Sequence, residues 1–315
     1  MTASANREGF RILRGDPALF AMELLWRWSF GLALLALSFM AYAHLRQAVF
    51  LSDADEVALN GQDPFAVASA ATGLITQALP LLLRTLAQVF SVAAVVWIAA
   101  AALGRGIITR MMVRSFASGY GVRIAPDAPR WTSFAILKFA RVLMLLILAI
   151  GYFGGTFMAT LVSGPEPNVL VSGLIVCASL AISSVVWSYV NWVLSLAPIF
   201  VVRDGLAPLD SVVAAIAFIG RSRSHLTAIA LWNSTWRGVA ATVISLAGVF
   251  SVGLRVALPP WTITVLLALE TLVYLVVSDG FMLARLGAYA SVAVRELVLS
   301  QARLEPPEGS GTFAR

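Results

Sequence analysis

The chain has 315 residues, 60% of them apolar and only 12% charged, with a mean hydropathy of +0.88. That leaves too little polar surface to clothe a water-soluble globule, so a soluble domain is excluded and a membrane protein with several spans is implied. A formal charge of +6 could suit nucleic acid, but the basic residues are dealt out between apolar stretches rather than gathered in one domain, so no nucleic-acid partner is expected.

The first 25 residues carry Arg7, Arg11 and Arg14 but also Glu8, Asp16 and Glu23, with no small-residue cleavage site after a short apolar core; a removable signal peptide is not expected. Asp16 and Pro17 form an N-cap and first-turn start for a helix through Phe20, Glu23 and Arg27, the last two at the i, i+4 spacing that supports a helix. Apolar runs then predict six spans, near 26–44, 79–103, 142–162, 169–199, 239–258 and 261–283. The expected fold is all-α, a polytopic membrane protein whose six transmembrane helices form three hairpins with interfacial amphipathic elbow helices. A single transmembrane domain covers 1–300, and 301–315, rich in Pro and Gly, is expected to be a disordered cytoplasmic tail.

Charge sets the expected orientation. The segment from Leu45 to Pro64 holds Asp53, Asp55, Glu56 and Asp63 against one basic residue, Arg46, whereas Gly104 to Arg130 holds five arginines against Asp127 alone. Placing the basic segments in the cytoplasm of a bacterial inner membrane puts both termini there and leaves only Arg46, Arg84 and Arg255 elsewhere. On the outer side, Asp63 and Pro64 open a helix that should bend near Pro80 or project from the membrane, because Pro64 to Leu103 is 40 residues, about 60 Å at 1.5 Å per residue and twice a bilayer core.

The lead-in to each hairpin repeats a pattern. Phe20 to Arg27, Phe134 to Arg141 and Ala230 to Arg237 each end a seven-residue step on an arginine just before a span, twice as Trp-Arg. A threefold repeat of elbow, arginine and hairpin accounts for this; so does the general preference of Trp and Arg for interfaces. Arg27, Arg141 and Arg237 are the interfacial candidates. In the third lead-in, Pro208 starts a stretch in which Leu209, Val212, Val213, Ile216 and Ile219 share one face while Asp210 and Arg221 share another, with Phe218 the exception. Such a helix should lie along the headgroups.

Little in the chain could carry covalent chemistry. It has two histidines, His44 and His225, and one cysteine, Cys177, inside an apolar run; no metal-binding spacing, Gly-rich phosphate loop or nucleophile elbow occurs, so no catalytic residue, metal or cofactor is expected. Ionisable groups within spans are the better lead, because a charge in hydrocarbon usually faces protein or a water-filled cavity. Glu270 lies nine residues beyond Trp261, roughly 14 Å along the helix and so near the midplane. Arg84 and Gln88, one turn apart, enter span two from the same outer side. These three are the intramembrane polar candidates, either as a pathway or as a buried pair that fixes helix packing, and Asp279 should meet Arg285 near the cytoplasmic interface.

Ala207, Pro208, Leu209, Asp210 and Ser211 running into Ala215, then Arg221, Ser222 and Arg223, then Trp236 and Arg237, resemble a short cytoplasmic element of an uncharacterised bacterial six-span family. That family also occurs as the membrane-embedded region attached to some glycerophosphodiester phosphodiesterases. The resemblance implies six helices with interfacial elbows; the paired-carboxylate catalytic barrel of those phosphodiesterases is absent, so no such activity is implied. Three readings of function follow: a non-enzymatic inner-membrane protein organising membrane lipids or a membrane-protein partner, a transporter or channel using Glu270, or an accessory subunit of an energy-transducing complex.

Overall fold

The computed structural model describes residues 2–48, 57, 60, 63–126, 130–163 and 169–304. Among them regular structure is helical: α1 (Thr2–Gly15), α2 (Pro17–Ala48), α3 (Pro64–Tyr120), α4 (Trp131–Ser163), α5 (Val169–Arg203), α6 (Pro208–Gly253), a 3₁₀ turn (Leu254–Val256) and α7 (Pro260–Leu304). The six helices α2 to α7 are long and apolar enough to cross a membrane. The chain is an all-α, polytopic membrane protein.

Elbow and span prove to be one continuous helix in each lead-in. Asp16 Oδ1 accepts the Ala18 N–H at 3.2 Å, the predicted cap of α2. Asp63 Oδ1 likewise accepts the Phe65 N–H at 3.0 Å at the start of α3. Pro80 does not end α3, and the helix passes the predicted limit at Leu103 to reach Tyr120. It continues because Ile108, Met112, Val113, Phe116 and Ala117 sustain a helical apolar period and are all buried. It stops where Gly121 turns to φ +66°, with the Val122 N–H returning to the Ala117 carbonyl at 2.9 Å and the Gly121 N–H to Ser118 at 3.2 Å. At the other end of the chain α7 runs to Leu304, so 301–304 is helical rather than part of a tail; 305–315, like most of the acidic 49–62 segment, lies outside the described residues.

Two compact units result, one of Met1–Leu24 with Ala101–Arg315 and one of Leu25–Ala100. In the first, α4 packs on α5 and α6 on α7, the second and third predicted hairpins, with α5 against α6 joining them. The buried side chains concentrate at one end of these helices, Phe134, Leu196, Phe200, Phe218, Ile229 and Leu283 among them. Towards the other end, residues such as Ile150, Leu174 and Val249 are exposed, as suits helices whose solvent is lipid. The second unit, α2 from Leu25 and α3 to Ala100, shows the same habit: its apolar side chains face outward, and Thr72, Thr76 and Ser91 return their hydroxyls to carbonyls of their own helix.

No element predicted from the sequence corresponds to α1. This short helix lies along the C-terminal extension of α7 and crosses it at two glycines. A Cβ on Gly9 would stand 2.2 Å from the Ala284 carbonyl oxygen, and one on Gly287 would stand 3.2 Å from Gly9 Cα. Only small residues permit this approach. Asn233 Nδ2 on α6 donates to Asn6 Oδ1 at 3.2 Å, and Arg295 on α7 donates to Glu8 and, at 3.3 Å, to Ser4, so α1 is held by polar contacts at its flanks.

Candidate lipid interface

The three arginines before the spans are all half-buried. Arg141 donates through Nη2 to Ser195 Oγ at 2.9 Å and to the Asn191 carbonyl at 3.3 Å, both on α5. Arg237 donates through Nε to Ser278 Oγ on α7 at 3.1 Å. Arg27 stacks on Trp26 with its guanidinium carbon 5.7 Å from the ring. Arg141 and Arg237 thus each reach across their own hairpin to a serine, a fixed acceptor for a half-buried guanidinium. Burial also follows the repeat. The residues four and eight positions before each arginine are buried in all three lead-ins: Glu23 and Leu19, Leu137 and Ser133, Asn233 and Ile229.

The first half of α6 divides into three sectors. Ser211, Ala215, Phe218 and Ile219 face the protein and are buried, with Phe218 edge-on to Phe200 at 5.4 Å. Leu209, Val213 and Ile216 form an outward ridge, 79%, 66% and 45% exposed. Asp210 and Arg221 stand on a third side. The predicted apolar face is thus split: Phe218, the expected exception, anchors the helix, Ile219 joins it, and only Leu209, Val213 and Ile216 remain outward. The helix starts at Pro208 after an extended Ala207 (φ −65°, ψ 162°) and kinks at Ser222, where φ −114° and ψ 22° leave the helical region. Beyond the kink, Trp232 and Trp236 are exposed and stack edge to face at 5.7 Å.

Astride the kink is an open groove of about 600 Å³ lined by Gly220, Arg221, Arg223, Ser224, Thr227, Ala228 and Leu231. Arg221 donates through Nε to Glu296 Oε1 on α7 at 2.7 Å. This is an exposed ion pair and contributes orientation more than stability.

The intramembrane candidates fall differently. Glu270 accepts a hydrogen bond from Ser251 Oγ at 2.6 Å, and a Cβ on Gly248 would lie 3.3 Å from Glu270 Oε2. The acid is therefore met by a hydroxyl of its own hairpin and packed on a glycine. Arg84 and Gln88 stand together on an exposed face of α3. Asp279 is buried. The arrangement at Glu270 fastens the C-terminal end of α6 to α7.

Two further charge pairs join elements distant in sequence. Glu23, completely buried, accepts from Arg105 Nη2 at 2.6 Å, tying α2 to α3 instead of serving only the local spacing to Arg27. Glu8 and Arg295 join α1 to α7, with Tyr120 Oη accepting from Arg295 Nε at 2.7 Å and donating to Glu8 at 3.2 Å. Their partners are 82 and 287 residues apart, which no local pattern reports. The serines opposite Arg141 and Arg237 and the Ser251–Glu270 pair had a usable signal: each lies nearly equidistant from its hairpin turn. No protein family, characterised protein or solved structure matches the chain.

Proposed function

We propose that this is a non-enzymatic integral protein of the bacterial inner membrane, with both termini cytoplasmic, whose interfacial helices organise lipid. The observation that carries the reading is the divided first half of α6, which is fixed to the protein by Phe218 and its neighbours while presenting Leu209, Val213 and Ile216 outward beside charged residues. A helix so placed inserts its ridge at the boundary of headgroup and acyl chain. The arginine-rich segments support a cytoplasmic position for this end. Glu270 bonded to Ser251, and Arg141 and Arg237 bonded across their hairpins, support structural rather than transport roles for these groups.

Purification of the full chain in mild detergent tests the reading. Phospholipid that stays with the protein at constant stoichiometry through size-exclusion chromatography is the expected result. Stoichiometric co-purification of another membrane subunit without phospholipid would replace it with the accessory-subunit reading. Solute flux by the reconstituted protein that Glu270→Gln abolishes would replace it with the transporter reading.

A further inference from the structure

We propose that the groove astride the α6 kink is a binding site for one anionic phospholipid, its phosphate held by Arg221 and Arg223 and its acyl chain laid against Ala228 and Leu231. The inference rests on the interfacial reading of α6 and names the ligand class for it. The lining is graded along one side of the helix. Two guanidinium groups stand at one end, the hydroxyls of Ser224 and Thr227 follow, then Ala228 and Leu231, with exposed Trp232 on the next position. From Arg223 to Leu231 is about 12 Å at the helical rise, the distance from phosphate to the upper acyl chain in one leaflet. A lipid changes in the same order, from charge through ester oxygens to hydrocarbon.

Arg221 is prepared for such a ligand. Its Nε is committed to Glu296, which orients the guanidinium plane, while Nη1 and Nη2 have no partner among the described residues. Those two nitrogens are the pair that chelates two oxygens of a phosphate. Arg223 is exposed and likewise without a partner among the described residues. Glu296 offsets one of the two positive charges, so the groove carries a net charge of about one, matching a monoanionic phosphodiester. A zwitterionic lipid would bring an ammonium towards the same arginines. The ridge of Leu209, Val213 and Ile216 places the whole element at headgroup depth.

The experiment uses the delipidated full chain titrated in detergent with phosphatidylglycerol or phosphatidylcholine and read by native mass spectrometry. Expected is one tightly held phosphatidylglycerol, with phosphatidylcholine much weaker. Arg221→Gln with Arg223→Gln should weaken phosphatidylglycerol about thirtyfold, about fivefold for each interfacial arginine. The double lysine variant, which keeps the charge but loses the two-nitrogen fit, should fall between the native chain and the Gln variant, and Ser224→Asp, which spares both arginines, should weaken binding as well, so a folding defect in the Gln variant would not decide the matter. Equal binding of the two lipids, or no loss in both the Gln and Asp variants, overturns the site. Displacement of the lipid by millimolar inorganic phosphate or glycerol phosphate, with those anions binding as tightly on their own, shows a soluble anion site and overturns the lipid assignment. Selectivity lost while phospholipid is still retained refutes only the groove; no retained phospholipid at all refutes the interfacial reading beneath it.

Discussion

Replacing Gly9 by alanine tests how α1 is held. The added methyl would stand 2.2 Å from the Ala284 carbonyl oxygen and 3.0 Å from the Ala288 nitrogen, about 1.2 Å short of ordinary contact with the first. Both atoms are backbone of α7 and cannot rotate aside, so α1 must retreat by about an ångström. The flanking bonds from Asn233 to Asn6 at 3.2 Å and from Arg295 to Ser4 at 3.3 Å are near their limit already and do not survive that shift. Overpacking of this kind costs about 1–3 kcal/mol, against which alanine regains about 1 kcal/mol of helix propensity. Gly15 is the control, because it is also in α1 but a Cβ there meets nothing within 4 Å. Hydrogen exchange of residues 2–15 should therefore accelerate about tenfold in Gly9→Ala, where the net loss is about 1.4 kcal/mol, and stay level or slow in Gly15→Ala. Equal exchange in the two variants would refute the close crossing.

Other outcomes follow from the same geometry. Glu23→Leu and Arg105→Met should each destabilise by about 3–5 kcal/mol, and the double variant should recover most of that loss, measured by thermal unfolding in detergent. Ser251→Ala and Glu270→Leu should each cost about 1–2 kcal/mol and be strongly non-additive together, because each removes the same hydrogen bond; additive losses would show that the two do not interact. With Cys177 replaced by serine, a cysteine at Asp63 should react with an impermeant thiol reagent from outside intact cells, and one at Arg114 should not. Labelling of the Arg114 position from outside would invert the proposed topology.

Much of the fold is legible in the sequence because a bilayer imposes its own arithmetic. Runs long enough to span, the Asp16–Pro17 and Asp63–Pro64 starts, and the short turns between α4 and α5 and between α6 and α7 need no knowledge of packing. Side-chain direction does need it. The first half of α6 has apolar residues on two sides, one turned to the protein and one outward, and a helical wheel cannot tell Phe218, which meets Phe200, from Val213, which is exposed. The Ser251–Glu270 bond also has a counterpart in the sequence: Ser251 sits eight residues before Pro259 and Glu270 ten residues after Pro260. The Glu23–Arg105 pair and the docking of α1 on α7 join distant parts of the chain, and no periodicity encodes them.

The most direct test of the account is the depth of the α6 ridge in a bilayer. Nitroxide labels at Leu209, Val213 and Ile216, each in the Cys177→Ser background, should collide with dissolved oxygen far more than with a water-soluble paramagnetic reagent, and a label at Asp210 should show the reverse. Labels at Val213 and Asp210 that are equally open to the aqueous reagent would place this helix outside the membrane interface and contradict the lipid-organising reading.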